Sequence, residues 1–271
     1  MSKAATIWIT GASSGIGKAL CIHYEQTGFQ VIASSRNDVN LQEAFAEYSN
    51  ILCLPCDVSD EADVHRAATI IEQRFSNLSH VCVNAGLCEY VDVMPIDVAQ
   101  FQKILNVNVI GAVNTVNAAL PLLHKTATES GINGHIIAMG SQVIFAPFTR
   151  SEMYGASKAA LNYLMQSWRL DLAESAIDVS IIHPGFVDTP LTRKNSFSMP
   201  FLQTPEQAAI KIATAVAKRK RSFVFPKRLY ATLLLSRIFP QFWQTLMLKG
   251  QRAELLLPTH SNNMTSKQDD A

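Results

Sequence analysis

Thr6-Ile7-Trp8-Ile9-Thr10, then Gly11-Ala12-Ser13-Ser14-Gly15-Ile16-Gly17, is a short apolar run that breaks into glycines spaced G-x-x-x-G-x-G. The run is bounded like a buried strand, and Ile16 to Gln26 behind the glycines has helical period. Strand, glycine turn and helix are the parts of a phosphate cradle. The glycines let backbone approach a pyrophosphate, and the helix N-terminus offers unpaired N–H groups with a positive dipole. Gly11, Ser13, Ser14, Gly15, Ile16 and Gly17 are therefore candidate binding residues, although an ordinary glycine-rich turn has the same composition.

The same alternation continues outward. Gln30 to Ser34, Ile51 to Leu54, His80 to Asn84, His135 to Met139, Val179 to Ile182 and Phe223 to Phe225 read as six more strands. Ala62 to Phe75, Phe101 to Leu123, Tyr154 to Ser175 and Pro205 to Arg219 are long enough to be crossover helices. Strict alternation predicts an α/β fold, a doubly wound parallel sheet of about seven strands with helices on both faces. Ligands of such sheets bind beyond the carboxyl ends of the strands. Residues 1–225 form this domain, 226–260 an apolar and basic extension broken by Pro240, and 261–271 a disordered polar tail.

Composition limits the function classes. Of the 271 residues 48% are hydrophobic and 17% charged, enough apolar content for a large core and too much for a disordered chain. With 23 lysines and arginines against 22 acids the net charge is +1, which leaves no global field for a polyanion, so nucleic acid is not expected as a partner. Five cysteines, an odd number with no signal peptide ahead of them, point to a reducing cytoplasm. Cys53 and Cys56 have C-x-x-C spacing without a second pair, and the seven histidines show no H-x-x-x-H grouping, so no metal site is expected. No run approaches the roughly 20 apolar residues of a membrane span.

Six further segments carry a family resemblance. Thr10 to Gly17 fits T-G-x-x-x-G-x-G, and Asp57-Val58, Asn84-Ala85-Gly86, Asn108, Ser141, Tyr154-Gly155-Ala156-Ser157-Lys158 and Pro184-Gly185 with Val187 and Thr189 follow in order. The chain resembles the short-chain dehydrogenase/reductase family in its single-domain, Rossmann-like form. The resemblance implies a nicotinamide cofactor and a reaction between a ketone and a secondary alcohol. It gives Tyr154 the proton to the carbonyl oxygen, Ser141 a bond to that oxygen, Lys158 the nicotinamide ribose, and Asn108 a water in a proton relay. It assigns Asp57 and Val58 to the adenine, and Asn84, Ala85 and Gly86 to the adenosine side. Pro184, Gly185, Val187 and Thr189 join the cofactor site, the last two at the nicotinamide amide.

Physical chemistry supports part of this directly. Tyr154 and Lys158 lie four apart on a predicted helix and share a face. A tyrosine working near neutral pH must drop by roughly 3 units from its reference value, about 4 kcal/mol. A cation about 4 Å away at an effective dielectric of about 20 supplies that. Taken singly, Asn108 reads equally as a buried amide satisfying backbone, and Asn84 as a tie between central strands. Two positions depart from the family pattern: Cys82-Val83 stands where an additional asparagine is common, and Gly140 where a second serine is common.

Cofactor choice lies after the second strand, at Ser34-Ser35-Arg36-Asn37. Ser35 holds the place of the acid that would bond a ribose 2′-hydroxyl, and Arg36 can accept a 2′-phosphate, which points to NADP (NADPH) over NAD. Ser14 stands where many NADP-preferring relatives carry a second cation. Phe145, Phe148, Met153, Phe186, Met199 and Phe201 flank the catalytic segments, and Thr189 to Thr204 reads as a lid, so an apolar ketone or alcohol, including a lipid-like one, is expected. The extension, with Lys227, Arg228, Arg237, Lys249 and Arg252 among leucines and aromatics, fits an interfacial amphipathic helix at a membrane, or a cap or subunit contact. The resemblance further implies a homodimer or homotetramer. A reading of another class is a nucleotide-sensing regulator or scaffold without turnover.

Overall fold

The structure is a computed structural model that describes residues 5–75, 77–91, 95–195 and 198–250. The polar tail, and the extension from residue 251, lie outside the described residues. Seven parallel strands, β1 (Thr6–Thr10), β2 (Gln30–Ser34), β3 (Ile51–Cys53), β4 (His80–Val83), β5 (Gly134–Met139), β6 (Ile177–Pro184) and β7 (Ser222–Phe225), form one sheet in the order β3-β2-β1-β4-β5-β6-β7. Strand order reverses direction between β1 and β4, which puts the crevice for a ligand at their carboxyl ends.

Both faces of the sheet are covered, which is why its strands are continuously apolar. Trp8, Ile32, Val81, Ile136 and Ile181 point to one face, under α3 (Glu61–Arg74), α5 (Gly111–Ser130) and α6 (Glu152–Asp171). Their neighbours Ile7, Ile9, Val31, Cys82, Ile137 and Ile182 point to the other, under α1 (Gly15–Gln26), α2 (Asp38–Ala44) and α7 (Pro205–Ala217). Period-two alternation along each strand thus builds two cores, and each such large side chain contributes about 1.5–3 kcal/mol by burial. Trp8 carries its indole N–H into the core and donates it to the Ser34 hydroxyl at 2.9 Å, so that its burial leaves no orphan donor.

The expected single helix from Phe101 to Leu123 is three pieces: α4 (Val98–Leu105), a wide turn with i to i+5 bonds (Asn106–Ile110), and α5. The cause is local. Asn108, buried inside the wide turn, exchanges two hydrogen bonds with the backbone of Leu87 and donates a third to Ser157, pulling the helix toward β4. The stretch Val98–Ser130 is, by length and composition alone, apolar enough to cross a membrane, contrary to the expectation that no run approaches that length. Val116, Ala119 and Leu123 on it are packed against the sheet, and that packing is what its apolar face serves.

Beyond β7 the chain forms α8 (Lys227–Ile238) and α9 (Pro240–Gly250). Leu229 and Leu233 of α8 and Trp243 of α9 bury themselves against Ala146, with Phe145, Phe148 and Phe186 packed around them. The Trp243 indole donates to the Pro147 carbonyl at 2.7 Å, and Gln142 donates to the Phe225 carbonyl at 2.8 Å. The extension is thereby fastened to the segment that follows β5.

Candidate active site

A cleft of about 480 Å³ opens over the carboxyl ends of β1 to β6. Its floor is the glycine turn. Gly15 has φ +54°, and a Cβ there would come within 2.9 Å of the Thr189 methyl; at Gly17 it would sit 2.3 Å from the Gly11 carbonyl oxygen. Only glycine lets the turn close this tightly under the cleft. Ser14 caps α1 without a side-chain bond to the helix, and the first turn carries no acid, so the backbone N–H groups and positive dipole of α1 face the cleft. These features fit a pyrophosphate. Arg36, exposed on the wall beside Ser35, Asn37 and Asn40, has no carboxylate partner among the described residues.

The cleft brings together Gly11, Ser13, Ser14, Gly15, Ile16, Gly17, Arg36, Asp57, Val58, Asn84, Ala85, Gly86, Ser141, Tyr154, Lys158, Pro184, Gly185, Val187 and Thr189, drawn from six strand ends and α6. Asn108 is the exception. It is 1% exposed behind Gly86, and its amide is spent on Leu87 and Ser157. Asn84 donates to the Thr10 and Gly11 carbonyls at 3.0 Å each, tying β4 to the glycine turn while it also lines the cleft. Asp57 accepts from the backbone and hydroxyl of Ser59 at 2.9 and 2.6 Å, which holds the entry to α3.

Ser141, one residue beyond Gly140 at the end of β5, is hydrogen-bonded through its side chain to Tyr154. Lys158 lies a helical turn further along α6, its ammonium 5.9 Å from the Tyr154 ring centre and donating to the Met139 carbonyl at 2.8 Å. The expected lowering of the phenol by this lysine is not what the geometry gives. Burial pushes Tyr154 up from its ordinary value, with the Ser141 bond the opposing influence. Lys158 itself is pushed down to about 8 by burial.

None of the six expected apolar flanking residues lines this cleft. Phe145, Phe148 and Phe186 pack beneath α8 and α9, Met153 joins Val91 and Ile104 in a separate cluster, and Phe201 is largely exposed. Cleft residues that motif reading passed over include Leu87, Val107, Leu191, Thr192 and Lys194. The mouth is crossed by two links: Tyr90 donates to the Asn195 side chain, and Lys194 pairs with Glu89 at 3.2 Å. All of these but Val107, which the wide turn presents, follow strand ends, which is the one signal that could have found them.

A family model for short chain dehydrogenases matches residues 5–199. The chain belongs to this family. An uncharacterised oxidoreductase of Myxococcus xanthus is 28% identical over 239 residues, covering 87% of this chain and 92% of the relative. An uncharacterised oxidoreductase of Staphylococcus epidermidis is 30% identical over 190 residues, covering 70% and 80%. Among solved structures, a 3-ketoacyl-(acyl-carrier-protein) reductase from Brucella melitensis complexed with NADH superposes with a TM-score of 0.76 at 21% identity, over 82% of this chain and 96% of that one. A short chain dehydrogenase/reductase from Burkholderia phymatum in complex with NAD gives 0.78 at 19% identity, over 89% and 95%. The last two establish the doubly wound fold. The match to the family model stops before α7, so α8 and α9 lie outside it.

Within the family pattern the departure at Gly140 has a spatial cause. A Cβ at Gly140 would lie 2.9 Å from the His183 ring and from the Ile182 carbonyl, so the histidine occupies the space a serine would need. Cys82 is buried in the core between Ile9 and Ile137, away from the cleft lining.

Proposed function

We propose that the protein is an NADP(H)-dependent oxidoreductase that interconverts a ketone and a secondary alcohol on an apolar small molecule. The observation that carries this is Tyr154 bonded to Ser141 at the cleft face, with Lys158 a turn away and the glycine cradle on the same floor. The reduced nicotinamide supplies hydride when bound. The chain's own residues supply the rest: the α1 N-terminus, Gly11 and Ser13 take the pyrophosphate, Arg36 a 2′-phosphate, and Lys158 the nicotinamide ribose.

Tyr154, held protonated by its burial, donates its proton to the carbonyl oxygen, and the Ser141 hydroxyl bonds that same oxygen. Asn108 acts through the shape of the wide turn instead of by direct contact with the reactants. Leu87, Pro190 and Leu191 support an apolar substrate, and the exposed apolar side chains Tyr163 and Leu170 of α6 support a homo-oligomer built on the long helices. Five free cysteines support a cytoplasmic setting.

Separate titrations of the protein with NADPH and NADH, followed by nicotinamide fluorescence, test the reading. NADPH is expected to bind about tenfold or more tightly, and Arg36→Ala to remove most of that preference, as loss of a charge-assisted bond of about 1.5–3 kcal/mol requires. Equal affinities would overturn the NADP assignment. Binding of neither cofactor would overturn the enzyme.

A further inference from the structure

We propose that the outer face of α8 and α9 docks the protein on an anionic lipid surface. The two helices have apolar residues on both sides. The inner side, Leu229, Leu233 and Trp243, is buried against the main domain and fixes the pair in place. The outer side presents Leu235 and Ile238, three apart on α8, and Phe242 and Leu246, four apart on α9, with Phe239 at the break between the helices; all are 44–70% exposed, and each helix carries a short stripe. Such stripes on a helix pair already anchored elsewhere have no role in the fold, and exposed apolar stripes mark interaction sites.

Charge selects the occupant. From Glu206 to Glu254 the sequence holds ten lysines and arginines and no acid between them, in a chain whose net charge is only +1. Lys227, Arg228 and Arg237 on α8 are exposed around the stripe. A second copy docking by twofold symmetry would set these cations against each other, with no carboxylate among the described residues of α8 and α9 to compensate. An anionic leaflet takes both features together, with the aromatics and leucines entering the headgroup boundary and the cations lying over the phosphates. The stripes belong to the same helices that pack on Phe145 and Phe186, which follow the cleft residues Ser141 and Gly185 along the chain, so docking sets that flank near the lipid.

The full chain should be sedimented with vesicles of phosphatidylcholine alone and of phosphatidylcholine with phosphatidylserine, with melting temperature as the control for folding. The expected result is binding to the phosphatidylserine vesicles, weakened by salt, at least tenfold weaker for Phe239→Ser/Phe242→Ser and also weaker for Arg237→Glu. These side chains are exposed, so melting should not change. Failure of the parent chain to bind, or undiminished binding by the double serine variant, overturns the proposal. So does a drop in oligomer size on sedimentation velocity for that variant with no lipid binding by the parent, which would give the face to a second copy. None of these readouts depends on cofactor or turnover.

Discussion

The two ends of β4, β5 and β6 each bury titratable side chains, and they treat them oppositely. At the carboxyl ends, Ser141, Tyr154 and Lys158 line an open cleft with the glycine turn and the N-terminus of α1 on its floor. At the amino ends, His80 and His135 are sealed in the core with ring centres 5.4 Å apart. His80 is bonded to Ser79 at 2.8 Å and His135 to Ser180 at 2.7 Å. The first set is positioned to exchange protons with something that enters. The second is closed off by short local bonds and serves only as long as it stays neutral.

The comparison breaks most directly at Tyr154. Tyr154→Phe removes the proton donor while leaving the ring in its packing, and turnover is expected to fall by about 10²–10⁴-fold with cofactor affinity nearly unchanged. Steady-state rates beside a cofactor titration check it. A variant with parental turnover would remove Tyr154 from the role of proton donor.

Acid should break the sealed end instead. Burial pushes His80 down to about 3 and His135 down to about 2, from 6.5 in the unfolded chain. The unfolded state therefore binds more protons below pH 6.5, so this stability is complete above that pH and is lost as the pH falls toward the folded values. Each histidine costs about 1.4 kcal/mol per pH unit in that window. Two such groups consume much of an ordinary domain's stability by about pH 4.5. Melting temperature against pH reads this out, and a flat profile from pH 6.5 to 4.5 would show that the pair is not sealed. The alkaline side belongs to the open end: Lys158, pushed down to about 8, loses its charge above that pH, and cofactor affinity should weaken there first.

How much of this was legible follows from how far apart the partners lie in sequence. β1 and β2 have the bounds that their apolar runs predict, because a buried parallel strand writes its limits locally. The cradle residues and the Tyr154, Lys158 spacing were legible for the same reason. α2 was not, since Asp38–Ala44 has one buried residue, Leu41, and is held by the Asn37 cap to Asn40. Neither was the pairing of His80 with His135, which depends on the register of β4 on β5. The reason for Gly140 required knowing where His183 stands. Aromatic residues near the catalytic segments in sequence misled, because α8 and α9 claim them for another cluster.

The smallest expected effect sharpens the open end. Tyr90 and Asn195, and Glu89 and Lys194, join the loop after β4 to the segment after β6 across 105 residues of sequence. Both pairs are at the mouth, where solvent screens the charges, so the ion pair contributes about 0–1 kcal/mol and the hydroxyl bond about 0.5–1.5 kcal/mol. Tyr90→Phe should then raise KM for the substrate by about two- to tenfold while leaving cofactor affinity and melting temperature in place. Combined with Lys194→Ala it should show coupling, because both links close one gap. Additive effects in that double-mutant cycle would mean that the two loops move independently, and that the cleft is bounded by its strand ends alone.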